Sequence, residues 1–236
     1  MPVITAETND GYVRASSSGR AFWADARDAT TGAAASSTAN QSRYATRVRR
    51  TATPTCTIYR SFYCFDCSGI SSEVASVSLK IRGLLNNDAN VIVVKASAPN
   101  TDGSTALATS DFDAIVGFSA GASMSGNVTD YSSEVSPWST GLNTITLNAQ
   151  ALSDLQTADA LQVCVVEYDH DYLNSSPAEI DVAAGQRYAN ALVNYRPFLD
   201  YTLSTGYGNS VCGMPSGNIS AVDGVLTANV SKVSGI

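Results

Sequence analysis

Apolar and polar positions alternate with a period of two over many short runs of this chain, and almost nowhere with the period of a helix. In "ASVSLKIRG", Val77, Leu79 and Ile81 fall on one face and Ser76, Ser78, Lys80 and Arg82 on the other, which predicts a strand with one buried and one wet side. "TIYRSFYCFD" is denser still in aromatic and β-branched residues. "GYVRAS", "RAFWA", "YATRVRR", "NVIVVKAS" and "LNTITLN" are read as further strands. "ALQVCVVEY" is almost continuously apolar, as a strand covered on both sides should be. "RPFLDYTL" reads as the last strand, with Pro197 at its start, where a missing donor is tolerated. Residues 30–42, rich in Thr, Ala and Ser, predict the longest loop. "FDAIVGFS" is compatible with a strand or one helical turn, and only "AQALSDLQTA" places apolar residues (Ala151, Leu152, Leu155) at helical spacing.

Strands at this spacing with scarcely a helix predict an all-β fold, a jelly-roll β-sandwich over residues 1–203. Neither the alternating α and β pattern of a nucleotide-binding fold nor a Gly-rich phosphate loop is present. Residues 204–236 read differently. Val-x-Gly followed by an apolar residue occurs at Val211–Met214, Val222–Val225 and Val233–Ile236, eleven residues apart each time. Asn218 and Asn229 keep the same interval. Glycine in every unit, with Val, Ser and Asn, argues against a helix and for short strands joined by tight turns. So small a unit cannot bury its own apolar side chains, so Val211, Met214, Val222, Val225, Val233 and Ile236 are expected to dock on the domain or on another copy. A frayed, turn-rich terminus is the competing reading.

Composition sharpens this picture. Charge is sparse and the formal net charge is −7. Yet eight of the fourteen basic residues precede residue 61: Arg14, Arg20, Arg27, Arg43, Arg47, Arg49, Arg50 and Arg60. Without the interleaved aromatics of a single-strand groove, this argues for a solvated or internally paired face rather than nucleic-acid binding. The start "MPVITAETND" has neither a basic nor an apolar signal region, and no run is long enough to span a membrane as a helix, so the expectation is synthesis in a cytoplasm without a membrane partner.

Two clusters could carry chemistry. Cys64-x-x-Cys67 lacks the further ligands of a zinc site and the βαβ context of a redox motif, which leaves buried apolar thiols or a disulfide formed outside the cell. "EYDHDYLNSS" gathers Glu167, Asp169, His170, Asp171 and Asn174. Asp169 and Asp171 would share a face if extended, but no second acid suggests a glycosidase pair, and no serine-elbow context makes His170 part of a triad. Asp169, Asp171 and Asn174 are candidate ligands of a structural calcium, against the simpler reading of a turn held by side-chain bonds. No other cofactor is expected. Trp138 and Tyr172 would bind a glycan by stacking on sugar rings if they are exposed.

"YRSFYCFDCSGISSEVASVSLKIRG" and "VEYDHDYLNSSP" with "YRPFLDYTL" together resemble the DNRLRE-type jelly-roll modules, relatives of carbohydrate-binding modules. In those modules an Arg-aromatic-x-x-Phe-Asp strand precedes an alternating one and an Arg-Pro-x-Leu strand closes the fold. The likeness covers most of residues 55–203 and implies a structural role for Phe65 and Asp66. The tail phrases resemble the short repeats that close many structural proteins of marine tailed phages. That resemblance implies a non-enzymatic virion protein: a capsid decoration protein, head fibre or tail-fibre component, homo-oligomeric, a trimer, among other virion proteins. A carbohydrate-binding module for host surface glycan is the alternative.

Overall fold

The computed structural model describes residues 2–7, 9–37, 42–49, 52–99, 106–177, 180–186, 196–204, 221–222 and 225–226. They form an all-β sandwich of two antiparallel sheets. The strands are β1 (Val3–Thr5), β2 (Gly11–Ser18), β3 (Ala34–Ser36), β4 (Ser42–Arg49), β5 (Thr55–Asp66), β6 (Val74–Asn87), β7 (Val91–Lys95), β8 (Leu142–Thr146), β9 (Ala160–Glu167), β10 (Ile180–Gln186), β11 (Phe198–Leu203), β12 (Ala221–Val222) and β13 (Val225–Leu226). The first sheet runs β1-β11-β6-β8. The second is centred on β5, with β2 and then β3 on one side; on the other, β4 pairs with its first half and β9, followed by β7, with its second half. Strand β6 belongs to both sheets: beyond Gly83 it leaves β8 and β11 and pairs with β10, which joins it to β4.

Two layers of side chains fill the molecule. Between the sheets lie Tyr63, Phe65, Leu79, Ile81, Val163 and Val165, all essentially out of water. The opposite face of the second sheet is buried as well. There Val13, Ile58, Phe62, Val94 and Val166 are covered by helix α1 (Phe22–Arg27), by a 3-10 turn at Thr109–Asp113 and by the chain around Ile115 and Met124. β9 is thus covered on both sides, as its apolar run predicts. Each fully buried Phe, Leu or Val contributes about 1.5–3 kcal/mol from burial alone.

Helix α2 (Ala149–Thr157) forms where Ala151 and Leu155 recur at helical spacing; the Asn148 side chain caps it by accepting from the amides of Gln150 and Ala151. "RAFWA" is not a strand. Phe22, Trp23 and Ala26 sit at the i, i+1 and i+4 spacing of one helix face, and burying that face outweighs the β preference of its aromatics. Within residues 30–42 the chain forms β3 rather than an unbroken loop.

Candidate functional site

The acidic stretch after β9 folds into a single π-helical turn, Tyr168–Tyr172, and not into an extended run. Its start is fixed by Glu167, whose carboxylate accepts from the amides of Asp169 (2.7 Å), His170 (3.0 Å) and Asp171 (3.1 Å) and from Thr46 Oγ1 (2.8 Å). Glu167 is fully buried. Burial pushes its carboxyl above the ordinary value, against the opposing pull of the Thr46 bond, His170 and the Asp171 amide.

The turn aims Asp171 inward, at the guanidinium of Arg60 on β5. Arg60 Nε and Nη2 donate to its two carboxylate oxygens at 2.8 and 2.7 Å. The remaining Arg60 donors reach the carbonyls of Phe112 (2.9 Å) and Arg27 (3.0 Å), and the rings of Phe112 and Phe118 lie 4.2 and 4.6 Å from the guanidinium carbon. Arg27 completes the cluster by donating to the Asp171 carbonyl (3.0 Å) and to Asp28 (2.7 Å). A carboxylate so engaged on both oxygens is a fixed strut rather than a proton carrier or ion ligand.

This arrangement corrects two readings. The calcium candidates do not converge: Asp171 is spent on Arg60, Asp169 accepts from Asn90 (3.3 Å), and Asn174, at positive φ, donates to the Gly121 carbonyl (3.0 Å). Among the described residues no group of three or more His, Cys, Asp or Glu is placed to hold a metal. The helical turn is the reason, because it removes the shared face that an extended backbone would give Asp169 and Asp171. The glycan candidates are also buried. Trp138 is 1% exposed between the sheets, edge-on to Tyr44 at 5.4 Å. Tyr172, 3% exposed in the other layer, stacks on Tyr168 at 5.2 Å and donates to Asp130 (2.8 Å). Neither ring presents a face on which a sugar could stack.

Cys56, Cys64, Cys67 and Cys164 are buried, and none of the four is in a disulfide. Burial pushes the Cys64 thiol up to about 12 and that of Cys67 to about 11, the opposite of what a reactive thiolate requires. Asp66, which follows Phe65 at the end of β5, accepts from the Ser68 amide (3.0 Å) and hydroxyl (2.6 Å) and closes the turn there. Of the early arginines, Arg27 and Arg60 are interior and ion-paired, so the basic cluster is partly an internal pairing network.

Sequence reasoning missed the Arg60–Asp171 pair and the buried acid Asp10. Asp10 Oδ1 accepts from the Cys64 amide (2.9 Å), while Oδ2 is buried without a hydrogen bond. Arg60 carried a signal: a charge between Ile58 and Phe62 on a strand face that must be buried requires a buried partner.

In the tail, Val222 and Val225 pair across the β12–β13 hairpin. Val211, Met214, Val233 and Ile236 lie outside the described residues. Against known proteins, no family model matches the chain and no curated protein is detectably similar to it.

Proposed function

We propose that this chain is a non-enzymatic structural protein of a tailed-phage virion, placed on the particle surface as a capsid decoration, head-fibre or tail-fibre component and assembled into a homo-oligomer, a trimer, through residues 204–236. The observation that carries the reading is the eleven-residue repeat. Its middle phrase, Val222-Asp223-Gly224-Val225, contributes a strand pair with Asp-Gly between the strands, the dipeptide that most favours a two-residue hairpin. A repeat of such small apolar units needs partners to bury them.

The interior chemistry is in keeping with a passive scaffold. Glu167 and Asp171 accept bonds that fix the fold, and the four described cysteines are buried outside any disulfide. The glycan-binding alternative rested on Trp138 and Tyr172, and with both rings buried nothing favours it over the virion reading.

The test of location is direct. Particles purified from cells producing this chain should contain its peptides by mass spectrometry and bind an antibody raised against the folded domain. Particles free of the chain would overturn the reading.

A further inference from the structure

Among the described residues the two sheets of the sandwich have four edge strands, and three of them are shielded in familiar ways. β1 and β3 are only three residues long. The outer edge of β7 is covered by bridges from Val91 to Val135, Val94 to Asp130 and Ala96 to Ile115. β8 is different: it has five residues, Leu-Asn-Thr-Ile-Thr, with no proline and no charge of its own.

The direction of its free groups follows from the ladder. Leu147 donates to the Val77 carbonyl (3.1 Å), and the Gly141 carbonyl accepts from Gly83 (2.7 Å). In an antiparallel pair, alternate residues face opposite sides, so residues 141, 143, 145 and 147 turn to β6. Leu142, Thr144 and Thr146 turn their N–H and C=O groups away from it, and among the described residues these groups meet no strand.

Facing this edge is a groove of about 450 Å³, lined on one side by Thr144–Asn148 and on the other by Ser133–Ser136. Val135 spends both its backbone groups on Val91 of β7 (3.3 and 2.8 Å), so this wall is already fastened to the second sheet. The groove thus has a strand edge on one wall and a chain already fastened to β7 on the other, the fit for one extended segment rather than a second sheet. It is lined by Ser and Thr hydroxyls with Val135, Ile145, Leu147 and Asn148, and Glu134 is its only charge.

We infer that this groove takes an extended segment from the tail of a neighbouring copy, residues 228–234 ("ANVSKVS"), as an added strand beside β8. The inference rests on the assembly reading above and names the site at which that assembly occurs. The segment carries no proline, so every residue can donate to the ladder. Its side chains are small, and Lys232 is the only base after residue 203, complementary to Glu134 and able to set the register.

The test uses full-length chains and measures self-association by sedimentation. Glu134→Lys alone and Lys232→Glu alone should each weaken association about tenfold or more through like charges, and the double variant should restore it. Thr144→Pro should also weaken association roughly tenfold, since it removes an outward donor and leaves the ladder to β6 intact. Circular dichroism checks that the proline variant folds; if it does not, the charge exchange still decides. A monomeric parent chain would overturn the assembly reading and this site together. An oligomer that none of the variants weakens would leave assembly standing and overturn the β8 site. A monomer in which β8 amides are protected from exchange would show the chain's own tail in the groove, and would overturn exchange between copies.

Discussion

The guanidinium of Arg60 and the carboxylate of Asp171 meet through two hydrogen bonds of 2.8 and 2.7 Å, with both side chains wholly out of water. They are 111 residues apart, and the pair pins the turn after β9 to the middle of β5. A buried pair of this kind adds little net stability over an apolar pair, yet breaking it leaves a charge without solvent or partner. Arg60→Met should therefore destabilise the fold by about 3–5 kcal/mol, while Arg60→Met with Asp171→Leu should recover much of that loss. Urea unfolding of the three proteins checks this. Single and double variants equally unstable would contradict it.

Asp10 makes a pH prediction of defined sign. Burial raises its carboxyl well above the ordinary value and the charge of Glu7 adds to this, against the Cys64 and Glu7 amide bonds and the charge of Arg196. The folded state therefore holds this proton more tightly than the unfolded chain, and stability is lost as pH rises through the elevated folded value. Asp10→Asn keeps an acceptor for the Cys64 amide and removes the titration. The variant should match the parent near pH 4 and exceed it by about 1 kcal/mol or more at pH 8 in thermal unfolding.

Asp154 on α2 has the opposite sign. Its partial burial raises the carboxyl, but bonds from Lys95 (2.8 Å) and the Tyr131 hydroxyl (2.5 Å) outweigh that and hold it below the usual value. Its contribution is present above the unfolded value and disappears as pH falls through the lowered one. Asp154→Ala should cost about 1–3 kcal/mol at pH 7, by orphaning the Tyr131 hydroxyl and losing the ionic bond from Lys95, and less at pH 2–3, where the protonated carboxyl has already lost the ionic share. An equal loss at both pH values would count against this assignment.

Gly83 stands where β6 changes partners. A Cβ there would collide with the Ser139 carbonyl oxygen, because the chain at 139–141 crosses directly over it. Gly83→Ala should destabilise by about 2 kcal/mol or more and should disturb the β6–β8 end of the first sheet before the second. Amide exchange, read strand by strand, locates the damage.

Most of this architecture was legible because period-two alternation reports directly on which face is buried. β2, β4 to β9 and β11 all follow their apolar patterns, and α2 follows its single helical one. The misses have physical causes. α1 was hidden because Phe22 and Trp23 favour strands locally, while packing on Val13 and Ile58 decides otherwise. β10, "IDVAAGQ", is too small and mixed to show a pattern, and exists because β4 and β6 offer edges on either side. For the acidic stretch the simpler reading, a turn held by side-chain bonds, agrees with the turn that the Glu167 carboxylate fixes, but the partner of Asp171 was out of reach. A string of carboxylates looks alike whether it holds an ion, a proton or an arginine, and only the tertiary fold brings Arg60 to Asp171. The exposure of Trp138 and Tyr172 was likewise beyond reach, since aromatics serve cores and surfaces with the same residue types.

The central claim is assembly through the tail, and light scattering tests it most directly. Matched samples of the full chain and of a chain stopped after Leu203 are compared, with circular dichroism confirming that the shorter one folds. The account predicts a trimer that falls to a monomer on truncation. A monomer in both samples, or an oligomer that survives loss of residues 204–236, would contradict it.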